Sequence, residues 1–353
     1  MHFNKLDALR GFAALYVAIG HWTHTNDYTP ALIKEFFRFG QQAVILFFLL
    51  SGFVIYIATS SPRRQSFKEY FIKRFRRIYP ILILAFILSV VVALIDGMFI
   101  KRFDWSSFIG TSLMLQDYGT EKPGVWFYYF MGNSPLWSLS YEWWFYMLYF
   151  VFYKYFNHLS SRTMIAYIIS LVSMITYIIF PNHASLVFGY FIIWFSGYEA
   201  AHVYFRDKTF TFKNIFNILW MNGSILAIIL VYNFTKSFWV NYGIDAIPVN
   251  KLIIHFGTTV LVLGTGLIWW KMKLIGFDLL LGIFTKMAPI SYALYVFHFP
   301  ILAQWDFYQY VDYNINTVNI IWINVVRLIV LVGLSYWAEI KLQPIINKLI
   351  TAK

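Results

Sequence analysis

The chain has 353 residues, of which 60% are hydrophobic, 22% aromatic and 12% charged, with a mean hydropathy of +0.62. A soluble domain carries about a quarter charged residues, so this balance excludes an ordinary water-soluble enzyme and points to a protein whose main solvent is the bilayer. The absence of cysteine excludes disulfides, thiolate metal sites and a cysteine thioester intermediate, while the net charge of +12 asks for nucleic acid or for a one-sided excess of Lys and Arg.

In chain order, apolar runs of roughly 17 to 21 residues, long enough to cross the hydrocarbon as helices, fall near 6–23, 41–58, 79–97, 136–153, 163–180, 184–202, 215–233, 252–270, 288–304 and 318–338. The expected fold class is therefore all-α: a polytopic integral membrane helical bundle of about ten transmembrane helices. Residues 1–353 are expected to form a single integral membrane domain with no separate soluble domain. The first run is interrupted by Asp7 and Arg10 and lacks a small-residue cleavage site, so it reads as a retained span. The segment near 105–119, "WSSFIGTSLMLQDYG", is apolar for only about a dozen residues and reads as re-entrant or interfacial.

With Met1 in the cytoplasm, twenty Lys and Arg fall on inner segments, and seven (Lys34, Arg38, Lys101, Arg102, Lys122, Lys236 and Lys251) fall on outer ones. The outer side takes the larger share of acids, among them Asp306 and Asp312. This asymmetry predicts cytoplasmic termini and accounts for the charge without nucleic acid, leaving membrane lipids as the surroundings.

Ionisable groups inside spans mark candidate function. In "KLDALRGFAALYVAIGHW", Arg10 and His21 lie eleven residues apart, three helical turns or about 16 Å along one face, with Asp7 near the same stripe. Ala14 and Ala18 between them leave room for something slender, a phosphate contact low down and a reactive base above. Asp7 and Arg10 equally suit a plain i, i+3 pair. In "FIKRFRRIYP", Arg74 and Arg77 share a face and present guanidinium forks suited to phosphate.

Glu142 lies within "NSPLWSLSYEWWFYMLYF" and needs a partner in the membrane. The candidates are His21, whose ring it would orient, and Arg327 of the last span. His298, followed by Pro300 in "ISYALYVFHFPIL", sits where the proline would free backbone carbonyls. No metal-ligand spacing, phosphate-binding glycine loop or dinucleotide pattern occurs.

Five stretches, "LDALRGFAALYVAIGHW", "ILFFLLSGFVI", "KRFRRIYP", "PLWSLSYEWWFYMLYF" and "SYALYVFHFP", together and in this order resemble acyltransferase family 3 of integral membrane proteins. The resemblance implies transfer of an acyl group, usually acetyl, from cytoplasmic acetyl-CoA to a hydroxyl of an envelope glycan or lipid-linked saccharide, without a metal, in a bacterial inner membrane. It implies His21 as the essential histidine and Arg10 as its basic partner. Arg74 and Arg77 fall on the arginine pair associated with CoA, and Glu142 on the motif acid. Asp7, His298 and Arg327 are supporting candidates.

His21 would act as general base or carry the acyl group itself. The sequence lacks the extracytoplasmic esterase-like domain common in the family, so the membrane domain is expected to do the whole reaction. Aromatic residues of the outer loops (Trp105, Tyr118, Trp126, Tyr128, Tyr129, Trp305, Tyr308, Tyr310) suit an interfacial belt or sugar stacking. Two competing readings are a transporter or flippase of an anionic or lipid-linked saccharide, for which no inverted repeat is visible, and a scaffold in glycan synthesis.

Overall fold

A computed structural model describes residues 4–26, 29–60, 66–156, 158–241, 247–305 and 317–351. The expectations placed on Arg63, Arg64, Asp306, Tyr308, Tyr310, Asp312 and Lys353 lie outside the described residues. The helices are α1 (Asn4–Thr25), α2 (Ala31–Phe36), α3 (Gly40–Thr59), α4 (Phe67–Ile95), α5 (Phe99–Arg102), α6 (Trp105–Ser112), α7 (Leu136–Tyr155) and α8 (Arg162–Ile179). They continue with α9 (His183–Asp207), α10 (Phe212–Asn241), α11 (Asn250–Lys271), α12 (Phe277–Leu281), α13 (Ser291–His298), α14 (Thr317–Tyr336) and α15 (Gln343–Thr351). A 3-10 stretch, Gly282–Ile290, leads into α13, and π-helical turns, Phe299–Gln304 and Trp337–Leu342, follow α13 and α14.

Seven stretches among the described residues are long and apolar enough to cross a membrane: Ala31–Thr59, Phe67–Ile95, Arg162–Ile179, Phe212–Lys236, Asn250–Lys271, Phe277–Gln304 and Trp322–Leu349. The three other expected spans fall on α1, α7 and α9. These have 22, 20 and 25 residues, which is length enough at about 1.5 Å per residue, but they carry more polar side chains. Eleven residues of α7 and seventeen of α9 are buried, against 33–44% of the window in the seven apolar stretches. A helix enclosed by other helices has little lipid-facing surface to keep apolar, which accounts for α7 and α9; α1, with eight of its 22 residues buried, owes its lower hydropathy to the charged and polar residues at its two ends. The 105–119 segment is the eight-residue helix α6, too short to cross, followed by an irregular stretch in which Gln116 and Asp117 are fully buried.

Local chemistry sets several ends. Ser66 and Glu69 form a reciprocal capping box at the start of α4, and Asp104 caps α6 by accepting from the Ser107 N–H at 2.7 Å. Pro80 inside α4 cannot donate to the carbonyl of Arg76, and the side-chain amide of Gln343 at the start of α15 donates to that oxygen instead. One continuous apolar core, running from Ala13 to Ala338, joins the first helix to the last elements.

Candidate active site

Three helices bring their charges to one cavity of about 210 Å³. It is lined by Asp7 and Arg10 of α1, Ser51 of α3, Arg74 and Arg77 of α4, Glu142 and Tyr146 of α7, and Tyr292 and Tyr295 of α13. We call the end of the bundle bearing these arginines the basic end. Arg10 Nη2 donates to Asp7 Oδ1 at 3.0 Å, so the i, i+3 pair forms while both residues also face the cavity.

Arg74 and Arg77, alike in sequence, differ here. Arg77 Nη1 donates to Glu339 Oε2, a carboxylate of the Trp337–Leu342 turn whose side chain is 2% exposed. Arg74 makes no ion pair among the described residues. Its guanidinium lies 5.3 Å from the ring centroids of both Tyr70 and Tyr146, and its buried Nε has no hydrogen-bond partner. A cation held over two aromatic faces with an unused donor is prepared for an anion.

Glu142 has a different partner from either one expected. Its Oε1 accepts from Ser51 Oγ at 2.8 Å and from the Tyr146 hydroxyl, and Ser51 in turn accepts from Trp194 Nε1 at 3.1 Å. The expected pairing of Glu142 with His21 is therefore corrected, as is the alternative pairing with Arg327. Hydroxyls one turn along the same helix and on α3 satisfy the carboxylate locally.

His21 sits three turns further up α1 and lines a second cavity of about 160 Å³ with His24, Arg38, Gln41, Trp137 and Tyr295. Its Nδ1 is 2.9 Å from Nε2 of His298, the rings stacking with centroids 5.0 Å apart. His298 Nδ1 donates to the Tyr295 carbonyl at 2.6 Å. Tyr295 lines both cavities, and its hydroxyl is bonded to Ser138 Oγ at 2.8 Å and to the Pro135 carbonyl at 3.0 Å. The stripe of Ala14 and Ala18 is not an open path: both are packed into the core and line neither cavity.

The backbone around His298 is irregular for the reason its proline gives. Pro300 leaves the Val296 carbonyl without its helical donor, and Asn133 Nδ2 supplies one at 3.2 Å. The π-helical turn that follows leaves further carbonyls, and Arg327 donates to those of Ile301 (2.9 Å), Leu302 (2.7 Å) and Trp305 (2.9 Å). Arg327 thus fastens the end of the His298 helix to α14. Asn324, one turn away, accepts from Trp22 Nε1 at 3.0 Å beside His21.

A family model described as an acyltransferase domain, Acyl_transf_3, matches residues 3–340. The chain belongs to acyltransferase family 3. Over 156 residues, 42% of the chain, it is 28% identical to "Acyltransferase MdmB" of Streptomyces mycarofaciens. Over 99 residues, 27% of the chain, it is 33% identical to "Nodulation protein 10" of Rhizobium leguminosarum bv. viciae. These matches span 39% and 26% of the relatives' own lengths. No solved structure matches the chain. With its apolar helices, this family membership makes the chain a multi-pass integral membrane protein.

Several residues in and around the two cavities escaped the expectations drawn from the sequence. Glu339 was legible in principle as an acid at the end of the last apolar run. Ser51, Ser138 and Tyr295 carry no local signal, because hydroxyls are common in spans and only their neighbours give them work. Asp117 and Lys122 were read as loop charges, yet they pair at 2.6 Å with side chains 0% and 3% exposed. Burial pushes the Lys122 ammonium below lysine's ordinary range while Asp117 pulls it upward. The Tyr141 hydroxyl donates to Asp117 at 2.5 Å, tying the loop to α7 next to Glu142.

Proposed function

We propose that this acyltransferase moves an acyl group, acetyl in the first instance, from acetyl-CoA at the basic end to a hydroxyl of a glycan or lipid-linked saccharide at the opposite end, in a bacterial inner (plasma) membrane. The observation that carries the reading is the pair of cavities sharing Tyr295, one lined by an arginine without an ion pair among the described residues and the other by a histidine backed by a second histidine. Arg74 suits a phosphate of the donor, and Arg10 adds positive potential beside it. The narrow basic-end cavity suits the thin acyl-bearing arm better than the nucleotide, which would lie outside it. The excess of Lys and Arg on the segments of this end favours the cytoplasmic side, where acyl-CoA is made.

His21 supplies the group that the chemistry needs at the far cavity. As a general base, it takes the proton of the acceptor hydroxyl while that oxygen bonds to the acyl carbon, the carbon–sulfur bond breaks and CoA leaves as the thiol after protonation. As a nucleophile, its ring nitrogen first bonds to the acyl carbon as the carbon–sulfur bond breaks and CoA leaves as the thiol after protonation, and the acceptor oxygen then bonds to that carbon as the carbon–nitrogen bond breaks, its proton passing to the freed ring. Labelled acyl trapped on His21 without acceptor selects the second course, and its absence with sequential kinetics selects the first.

The test uses membranes containing the wild-type chain or His21→Ala, incubated with acetyl-labelled acetyl-CoA and host envelope glycans. Label reaching the glycan fraction with wild type alone is the expected outcome. Equal transfer by both would remove His21 from the reaction, and no transfer by folded wild type would count against this donor and acceptor pair.

A further inference from the structure

His298 faces His21 but lies beyond the cavity lining, fully buried, and its two ring nitrogens are committed in a definite sense. A carbonyl oxygen only accepts, so the 2.6 Å contact between His298 Nδ1 and the Tyr295 carbonyl requires the proton on Nδ1. No carboxylate hydrogen-bonds either histidine among the described residues, and a buried imidazolium without one is uncompensated, so the rings are neutral. A neutral His298 protonated at Nδ1 has a bare Nε2 that only accepts. Its 2.9 Å neighbour, Nδ1 of His21, must then be the donor. The Val17 carbonyl, one turn back on α1, also accepts from the His21 ring, and with the single proton on Nδ1 the remaining nitrogen, Nε2, carries a lone pair.

We infer that His298 is a positioning residue which fixes His21 as the Nδ1–H tautomer and so makes Nε2 the reactive atom. This rests on the proposed role of His21 and deepens it. Without His298 the two tautomers of His21 have similar weight and the ring loses its anchor, which degrades either a base or a nucleophile. The anchor is itself held. Arg327 fastens the π-helical turn after His298, and Asn133 holds the Val296 carbonyl within the same helix.

The test compares His298→Gln, His298→Asn and His298→Phe with wild type and His21→Ala in the labelled acetyl-CoA assay, each in the full chain and with thermal unfolding recorded. Gln carries an acceptor to roughly the place of Nε2. Asn reaches only toward the Tyr295 carbonyl, and Phe offers neither contact. The expected result is that Gln keeps activity within about tenfold of wild type, while Asn and Phe lose about a hundredfold with KM for acetyl-CoA little changed. Full activity of the Phe variant beside an inactive His21→Ala would overturn the positioning role and leave the His21 reading standing. Full activity of His21→Ala would sink both.

A second readout does not depend on the variants folding. Nitrogen-15 spectra of histidine-labelled wild-type chain in lipid nanodiscs should show His21 protonated on Nδ1 and bare on Nε2. The opposite tautomer would exclude the proposal.

Discussion

At the residue scale, Arg74 and Arg77 give the sharpest contrast in the site. Removing Arg74 deletes an unpaired cation and leaves no buried charge behind, so Arg74→Ala should raise KM for acetyl-CoA about tenfold or more, the worth of one charge-assisted contact, with little change in unfolding temperature. Removing Arg77 strands Glu339, whose side chain is 2% exposed. Arg77→Ala should therefore destabilise the protein by about 2 kcal/mol, between the values for exposed and buried pairs. Adding Glu339→Gln should recover part of that loss. Kinetics and unfolding in the same detergent check both, and equal behaviour of the two single variants would contradict this division. Glu142→Gln retains an acceptor for Ser51 and Tyr146, so its unfolding temperature should stay near that of wild type.

At the element scale, the bundle depends on helices that touch through their backbones. A Cβ at Gly52 of α3 would lie 2.1 Å from the Trp194 carbonyl, and one at Gly197 of α9 would lie 1.9 Å from that of Leu49. Small residues permit this close crossing, as is common between membrane helices. Gly52→Ala and Gly197→Ala should each cost about 1–3 kcal/mol through overpacking. Gly257→Ala, in α11 with open space at its Cβ, serves as the control expected to change nothing. Because α3 supplies Ser51 and α7 packs on α9, a loosened crossing should also disturb the hydrogen bonds that hold Glu142. The proline-freed carbonyls of Arg76 and Val296 teach the same lesson: each is answered by one amide from a distant segment.

At the scale of the whole molecule, the two cavities make a prediction about sidedness. In sealed vesicles, acetyl-CoA should be consumed only when supplied on the face that carries Arg74, and acceptor should be acylated only on the face that carries His21. Vesicles of the two orientations, prepared separately and given impermeant labelled donor, distinguish this from a site with both openings on one side. Donor use from either face in intact vesicles would argue against transfer across the membrane. The proposed orientation, drawn from the positive-inside asymmetry, puts the Arg74 face in the cytoplasm, so inverted vesicles should be the active ones.

The sequence by itself determined the helical membrane class, because hydropathy over a span depends only on composition. It also determined the grouping of Asp7, Arg10 and His21 on one helix, because helical spacing is a local property. Even Pro300 announced freed carbonyls, since the missing N–H is intrinsic to proline. Which groups pair was decided only by the tertiary structure. Glu142 had His21 and Arg327 as its candidate partners, but a serine of α3 and a tyrosine one turn along α7 reached it first, and His21 took His298 from 277 residues away. The reach of Arg77 to Glu339 and the closing of the Ala14–Ala18 stripe have the same cause. Hydrogen bonds and packing act over a few ångströms in space, and a linear spacing along one helix does not say which other helix will occupy those few ångströms.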